Sequence, residues 1–167
     1  MYRKILLTND GSELADIAIG HAATVAKGAN APIVVVQVID SVGQMMARMT
    51  PMIEPMPAGD LTVEIAEEAV DGQRTEAQKN LDRVKAALGA QGISNVSTTV
   101  VEGGAGDAVL EVAAAEGADL IVMATHGRGG LGRAIMGSVA DHVVRNSKNE
   151  AVLLVRPPAK YLEVLSD

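Results

Sequence analysis

The pattern of apolar residues changes its period several times along the chain. Short runs rich in Val, Ile and Leu are separated by longer segments in which apolar residues recur at helical spacing. The short runs predict five strands: Arg3–Thr8, Pro32–Val38, Val96–Glu102, Asp119–Ala124 and Ala151–Val155. Their alternation with four helical segments predicts a single-domain α/β fold, a doubly wound parallel sheet with helices on both faces.

The helical segments have recognisable ends. Ser12 follows a turn at Asn9–Asp10–Gly11 and is a predicted N-cap, while Gly28 and Gly117 are predicted helix ends. The predicted helices run from Glu13 to about Lys27, from Asp60 to about Ala90, over Asp107–Glu116, and after Gly132. In the last helix, the spacing directs these apolar side chains toward the core: Ile135, Met136, Val139, Ala140, Val143 and Val144.

The stretch between Asp40 and Gly59 interrupts the pattern. Three prolines and five methionines fall between Met45 and Pro57, and proline excludes a continuous helix. We expect a loop at 41–59 that is mobile without ligand; a docking surface and a soft-metal thioether cluster are the alternatives. The loop lies within one domain at 1–157, and a polar tail follows at 158–167.

The amino-acid composition excludes several kinds of binding partner and functional site. The core must be aliphatic, because the chain has no Phe or Trp and only two Tyr. A net charge of −7, from 21 acidic and 14 basic side chains, argues against a nucleic-acid or anionic membrane partner. The chain has no Cys, which excludes disulfides and thiolate sites, and no apolar run resembles a signal peptide or membrane span. The sequence therefore predicts a cytoplasmic protein.

The glycine-rich segment ATHGRGGLGRAIMGS follows a buried strand and leads into a helix. Glycines let backbone N–H groups approach a phosphate, and a helix start adds unpaired donors and the positive end of a dipole. Three known phosphate-binding patterns are candidate matches for the glycine spacing of this segment. Gly127-x-Gly129-x-x-Gly132 matches dinucleotide folds but does not occupy their first strand–helix turn, and the Lys and Ser/Thr of a P-loop are missing after Gly132. The third spacing is Gly127, nine residues, Gly137 and Ser138.

The run DLIVMATHGRGGLGRAIMGSVADHVVRNSKNEAVLLVRP resembles the universal stress protein family, and the opening ILLTNDGSELADIAI supports the resemblance. The resemblance covers essentially the whole chain. Nucleotide-binding members carry Gly, two residues, Gly, nine residues, Gly and then Ser or Thr. Here Gly127, Gly137 and Ser138 match the last three of these positions, and Ala124 departs from the first by one methyl group.

The resemblance implies a sheet in the order 3-2-1-4-5, with flavodoxin-like, HUP-type topology, and a homodimer formed through the last strand, Ala151–Val155. It implies ATP with Mg²⁺ as the ligand. Asp10 would contact the ribose or a metal ion, the backbone of Val38 would line the adenine pocket, and Gly127, Gly137 and Ser138 would donate to phosphate. The residues placed at the nucleotide are Thr8, Asn9, Asp10, Val38, Ala124, Gly127, Arg128, Gly130, Gly137, Ser138 and Val139. Each also has a plainer interpretation, as a turn residue, a close-packing glycine or a helix cap.

Three functional hypotheses follow from the sequence. The first is an ATP-binding, homodimeric regulatory module of the stress response with unknown protein partners. The second is a nucleotide-free scaffold that acts through protein contacts, and the third is a slow ATP hydrolase. No catalytic residues are predicted: His21, His126 and His142 lack the spacing of a zinc site. The acidic pair Glu67–Glu68 predicts a solvated helix face.

Overall fold

The computed structural model of the chain describes residues 1–49, 60–125 and 136–158. Within these ranges five strands and five helices follow one another along the chain. They are β1 (Ile5–Thr8), α1 (Glu13–Ala29), β2 (Ile33–Ile39), α2 (Val42–Met49), α3 (Asp60–Ala90), β3 (Val96–Glu102), α4 (Ala105–Glu116), β4 (Leu120–Ala124), α5 (Ser138–Asn146) and β5 (Ala151–Val155).

The strands of the described chain form one parallel sheet in the order β3-β2-β1-β4-β5. In the centre of the sheet, Leu6 of β1 lies opposite Val34 of β2 and Ile121 of β4. This order confirms the predicted doubly wound, flavodoxin-like α/β fold. The winding direction reverses between β1 and β4, so the segments after these strands lead to α1 and α5 on opposite faces of the sheet. Such sheets bind ligands at this point.

Aliphatic side chains cover both faces of the sheet. Successive residues of a strand point to opposite faces, so Ile5 and Leu7 pack with α1 and α3, while Leu6 packs with α4 and α5. Leu81 of α3 and Val143 of α5 are fully buried on the two sides. Burial on both faces explains why the strands appear in the sequence as continuous apolar runs rather than alternating ones.

The ends of α1 and α4 show which of the predicted capping and helix-ending residues take that role in the structure. Ser12 caps α1 as expected, its side chain accepting a hydrogen bond from the N–H of Ala15 at 3.1 Å. The helix continues past the predicted stop at Gly28 and ends at Asn30, which takes the left-handed conformation with φ 52°. Asn tolerates that conformation. Gly117 ends α4 as predicted, with φ 65°.

Helix α2 lies where the sequence predicts a loop, and that prediction is wrong over Val42–Met49. The prolines follow the helix instead of interrupting it, so they place no constraint on it. Val42 and Met45 pack against Ile39, Val70 and Ala77, and this contact with β2 and α3 stabilises the amphipathic helix. The rest of the predicted loop, 50–59, and the predicted tail from 159 onward lie outside the described residues.

Helix α5 presents a narrower apolar face than the sequence predicts. Ala140 and Val143 are buried, and Met136 and Val139 are half-buried beside them. Val144 is 42% exposed, so its predicted core position is wrong. Residues one apart lie about 100° apart around a helix, and Val143 takes the inward position. Ile135 lies outside the described residues.

No helix among the described residues is both long enough and apolar enough to cross a membrane.

Candidate functional site

A cavity of about 890 Å³ opens at the carboxyl ends of β1, β2 and β4. Its walls come from these strand ends and from residues of α1, α2, α3, α4 and α5. The predicted site residues that line it are Thr8, Asn9, Asp10, Val38, Ala124, Gly137, Ser138 and Val139. The fold therefore brings together residues that are distant in sequence. Gly127, Arg128 and Gly130, which complete the predicted set, lie outside the described residues, as does His126.

One wall of the cavity is apolar. Val38 near the end of β2, Met123 of β4, Val109 of α4 and Val139 of α5 line the cavity and belong to the side of the core that faces α4 and α5. Ligand pockets combine such apolar walls with a few polar groups that fix the ligand's orientation. This wall is suited to the face of a flat heterocycle.

A second wall is formed by the turn that follows β1. The carboxylate Oδ1 of Asp10 accepts hydrogen bonds from the backbone N–H of Ser12 at 3.0 Å and from its hydroxyl at 2.6 Å. The side-chain oxygen of Asn9 accepts from the N–H of Gly11 at 2.9 Å. Gly11 has φ 82°, a conformation that favours glycine. Asp10 is therefore a turn residue, as its plainer interpretation holds, and it also lines the cavity.

Helix α5 begins at the cavity. Gly137 is its N-cap residue and has no side chain to cap the helix, so Ser138 and Val139 bring the first backbone donors of α5 to the cavity wall. The positive end of the helix dipole lies at the same place. The N–H of Gly137 itself donates to the carbonyl of Thr125 at 2.7 Å. In this structure that donor is therefore occupied, which differs from its predicted role toward phosphate.

Sequence reasoning missed a group of polar side chains behind the turn. Gln37 of β2 lines the cavity and is 4% exposed, and Asn80 of α3 donates to its oxygen at 2.7 Å. Arg83 of α3 makes a two-bond ion pair with Asp16 of α1, both contacts at 2.7 Å. A glutamine inside an otherwise apolar strand was the signal that could have revealed this group.

The ion pair changes the acidity of Asp16. Burial raises the pKa of the Asp16 carboxyl, but hydrogen bonds from Arg83 and Asn9 and the charge of Arg83 outweigh burial, so the pKa lies below its ordinary value. The hydrogen bond with Asp16 in turn raises the pKa of Arg83. Asp16 is therefore ionised under ordinary conditions and holds Arg83 in place beneath the turn.

Sequence reasoning also missed a second polar group that lines the cavity. The backbone N–H of Asp40 donates to the side chain of Gln73 at 3.0 Å, and the Gln73 amide donates back to the Asp40 carboxylate at 3.1 Å. Arg48 of α2 pairs with the same carboxylate at 2.9 Å. All three side chains line the cavity, and they attach α2 to α3 beside it.

The described residues offer few ligands for a metal ion. No group of three or more His, Asp or Glu side chains within them lies close enough together to hold one. Mg²⁺ at nucleotide sites is held by one or two carboxylates together with phosphate oxygens and water. Asp10, the predicted metal ligand, lines the cavity together with Asp40 and Glu76, and it would supply one carboxylate to such an arrangement.

The model of the universal stress protein family matches residues 1–156. The chain belongs to the universal stress protein family. Universal stress protein MJ0531 of Methanocaldococcus jannaschii is 32% identical over 162 residues, which cover 96% of this chain and 85% of the relative. Universal stress protein MJ0577 of the same organism is 29% identical over 157 residues, covering 93% and 96% of the two chains.

Solved structures agree with this assignment. The structure of MJ0577 superimposes with a TM-score of 0.76 at 27% identity, over 95% of this chain and 98% of the other. A universal stress protein solved in complex with cAMP superimposes with a TM-score of 0.64 at 22% identity, over 94% and 98% of the two chains. At that identity the second likeness shows a shared fold.

Proposed function

We propose that this universal stress protein binds an adenine nucleotide, ATP with Mg²⁺, in the cavity at the strand ends. The observation that carries the proposal is the convergence of the predicted residues on one cavity. Thr8–Asp10, Val38, Ala124 and Gly137–Val139 come from four separate parts of the chain, and all of them line it. A relative solved with cAMP has the same fold, but the argument for this chain rests on its own residues.

The two walls suggest how the nucleotide would lie. The apolar wall of Val38, Val109 and Met123 would take the adenine. Asp10 would meet the ribose hydroxyls, since a carboxylate accepts hydrogen bonds from them. The phosphates would reach the start of α5, where backbone donors and the hydroxyl of Ser138 lie at the positive end of the helix dipole. Phosphate-bound Mg²⁺ would supply positive charge; the alternative role of Asp10, as a ligand of that ion, would take the place of its contact with the ribose.

We propose a regulatory role for this binding, in which the nucleotide state alters contacts with protein partners in the cytoplasm. The edge strand β5 supports a homodimer as the working unit. Val152, Leu153 and Leu154 are half-buried in the single chain, and β5 is the last strand on its side of the sheet. An edge strand with apolar side chains is a surface that a second copy can cover.

The dimer has its own test. Sedimentation at micromolar concentration is expected to show two chains per particle, and a strict monomer would contradict the dimer. Leu154→Lys places a charge on the edge strand and is expected to shift the population toward monomer. Val144→Lys adds the same charge at an exposed site on α5 and is expected to leave the dimer intact.

A nucleotide-free scaffold is the second candidate, and two observations favour it. Ala124 replaces the first family glycine and lines the cavity, and the N–H of Gly137 is bonded to Thr125. Purified protein denatured without prior dialysis is expected to release an adenine nucleotide, identified by mass spectrometry. Calorimetry on stripped protein is expected to show one ATP per chain and much weaker binding of GTP. No ATP binding at millimolar concentration with Mg²⁺ would favour the scaffold.

A further inference from the structure

The side chain of Asn9, in the Asn9–Gly11 turn, forms a closed ring of hydrogen bonds with three other side chains. Asn9 donates to Asp16 at 2.9 Å, and Arg83 donates to the same carboxylate at 2.7 Å. Arg83 also donates to the side-chain oxygen of Asn80 at 2.7 Å, and Asn80 donates to the side-chain oxygen of Asn9 at 2.9 Å, which closes the ring. The ring joins the end of β1 to α1 and α3.

Arg83 determines which way the Asn80 amide faces. A guanidinium has only donors, so the atom of Asn80 that meets it must be the oxygen. Both hydrogens of the Asn80 amide nitrogen then donate, to Asn9 at 2.9 Å and to Gln37 at 2.7 Å. Neither Asp, which cannot donate, nor Leu, which has no polar atom, can reproduce this set of contacts.

Both acceptors of Asn80 also contact the backbone at or next to Asp10. Asn9 is 2% exposed and also accepts from the N–H of Gly11 at 2.9 Å. The amide nitrogen of Gln37 lies 3.5 Å from the backbone carbonyl oxygen of Asp10. Asn9 and Gln37 line the cavity, whereas Asn80 acts on the cavity only through them. One side chain on α3 thus supports the backbone before, at and after Asp10.

We propose that Asn80 is a positioning residue for ribose recognition: it holds the Asn9–Gly11 turn so that Asp10 meets the sugar hydroxyls of a ribonucleotide. This inference rests on the proposed nucleotide binding. It assigns to Asn80 a role in selecting hydroxyl-bearing sugars, while the start of α5 binds the phosphates irrespective of the sugar. The two contributions can be separated by changing the ligand instead of the protein.

The test compares ATP with 2′,3′-dideoxy-ATP by calorimetry. The wild-type protein is expected to prefer ATP by roughly tenfold, the size of about one hydrogen bond to a charged group. Asn80→Leu, which keeps charge and approximate volume, is expected to lose most of that preference while its affinity for dideoxy-ATP changes little. Asp10→Ala is expected to remove the same preference. Gln78→Leu is the matched control, because Gln78 is exposed on the same helix and bonds only Asp82 among the contacts described.

A second readout does not involve nucleotide. Hydrogen exchange at the Gly11 amide is expected to be several-fold faster in Asn80→Leu than in the wild type, because Asn9 loses the partner that holds its oxygen in place. Unchanged exchange would overturn the positioning role. If Asn80→Leu does not fold, Asn80→Ser, which keeps one donor, is expected to show a smaller change in the same direction.

The outcomes separate the two claims. Wild-type protein that binds neither ligand overturns the proposed function, and ribose selection by Asn80 with it. Wild-type protein that prefers ATP, with an Asn80→Leu variant that loses affinity for both ligands equally, leaves nucleotide binding in place and overturns the role of Asn80 alone. Loss of the preference together with faster exchange at Gly11 supports the proposal.

Discussion

The two sides of the cavity are built in different ways. The turn side, Asn9–Gly11 after β1, is held by side chains from distant elements, such as Asn80 of α3, which donates to Asn9. The helix side, Gly137–Val139 at the start of α5, is held by backbone contacts: the N–H of Gly137 donates to Thr125 and its carbonyl accepts from Asp141. The two sides should therefore respond to different mutations. On the turn side, ligand affinity should fall when a remote supporting side chain is removed. On the helix side, it should fall when a new side chain keeps the ligand from the backbone donors.

The largest expected effect is on the helix side, from Gly137→Val. A β-branched side chain at the N-cap would cover the first donors of α5 and prevent phosphate from reaching them. We expect ATP affinity to fall by at least about 100-fold, since more than one hydrogen bond to a charged group is lost. Gly28→Val is the control, because a side chain at Gly28 would meet no atom within 4 Å. Equal calorimetric affinities for the two variants would show that phosphate does not bind at the start of α5.

Ser138→Ala is expected to have a smaller effect on the same side. It removes one hydroxyl but leaves the backbone donors, so the loss for ATP should be about 1.5–3 kcal/mol at most. Adenosine, which has no phosphate, should bind the variant as well as it binds the wild type. If Ser138→Ala lost as much affinity for adenosine as for ATP, Ser138 would contact another part of the ligand. Calorimetric titrations of the variant and the wild type with both ligands measure this difference.

On the turn side, Asp16→Asn tests the side-chain network through stability. The pKa of Asp16 is lowered on folding, so its contribution is complete above its unfolded pKa of 3.8 and is lost as pH falls through the folded pKa. At neutral pH the variant should be less stable by roughly 1 kcal/mol, a value kept low because the side chain is 32% exposed. The deficit should shrink below pH 3.8.

The control for this pH dependence is Glu76→Gln. The pKa of Glu76 is also lowered, by its hydrogen bond and ion pair with Lys79, but both side chains are exposed. At each pH from 7 to 3, the Glu76→Gln variant should have the same denaturation midpoint as the wild type. If the two variants behaved alike in urea titrations at each pH, the turn network would contribute no more than a surface pair.

Ala124→Gly is expected to have the smallest effect. It restores the first glycine of the family pattern and removes one methyl group from the cavity wall. ATP affinity should stay the same or rise slightly. If the wild-type protein does not bind ATP but the Ala124→Gly variant does, this methyl group is the reason for a scaffold function. If the variant binds ATP more weakly than the wild type, the methyl group contacts the ligand favourably.

The sequence predicted the sheet well because burial on both faces leaves a strong apolar signal. The strand order came from the family resemblance, since periodicity carries no information on which strands are neighbours. The helix side was found from Gly137 and Ser138, because backbone binding requires glycine at set positions.

The Asn80–Arg83 network was not found, since its partners lie up to 71 residues apart and no short spacing connects them. Helix α2 was missed because the prolines that predict a loop lie beyond its last residue, Met49, and place no constraint on it.

The most direct test of nucleotide binding across both sides is an NMR titration of the wild-type protein with ATP and Mg²⁺. Backbone amide signals of Gly11 on the turn side and of Ser138 and Val139 on the helix side should shift together and saturate at one ATP per chain. The Val38 amide should move with them. Saturable binding that shifts one side alone, or no shift at millimolar ATP, would contradict the account.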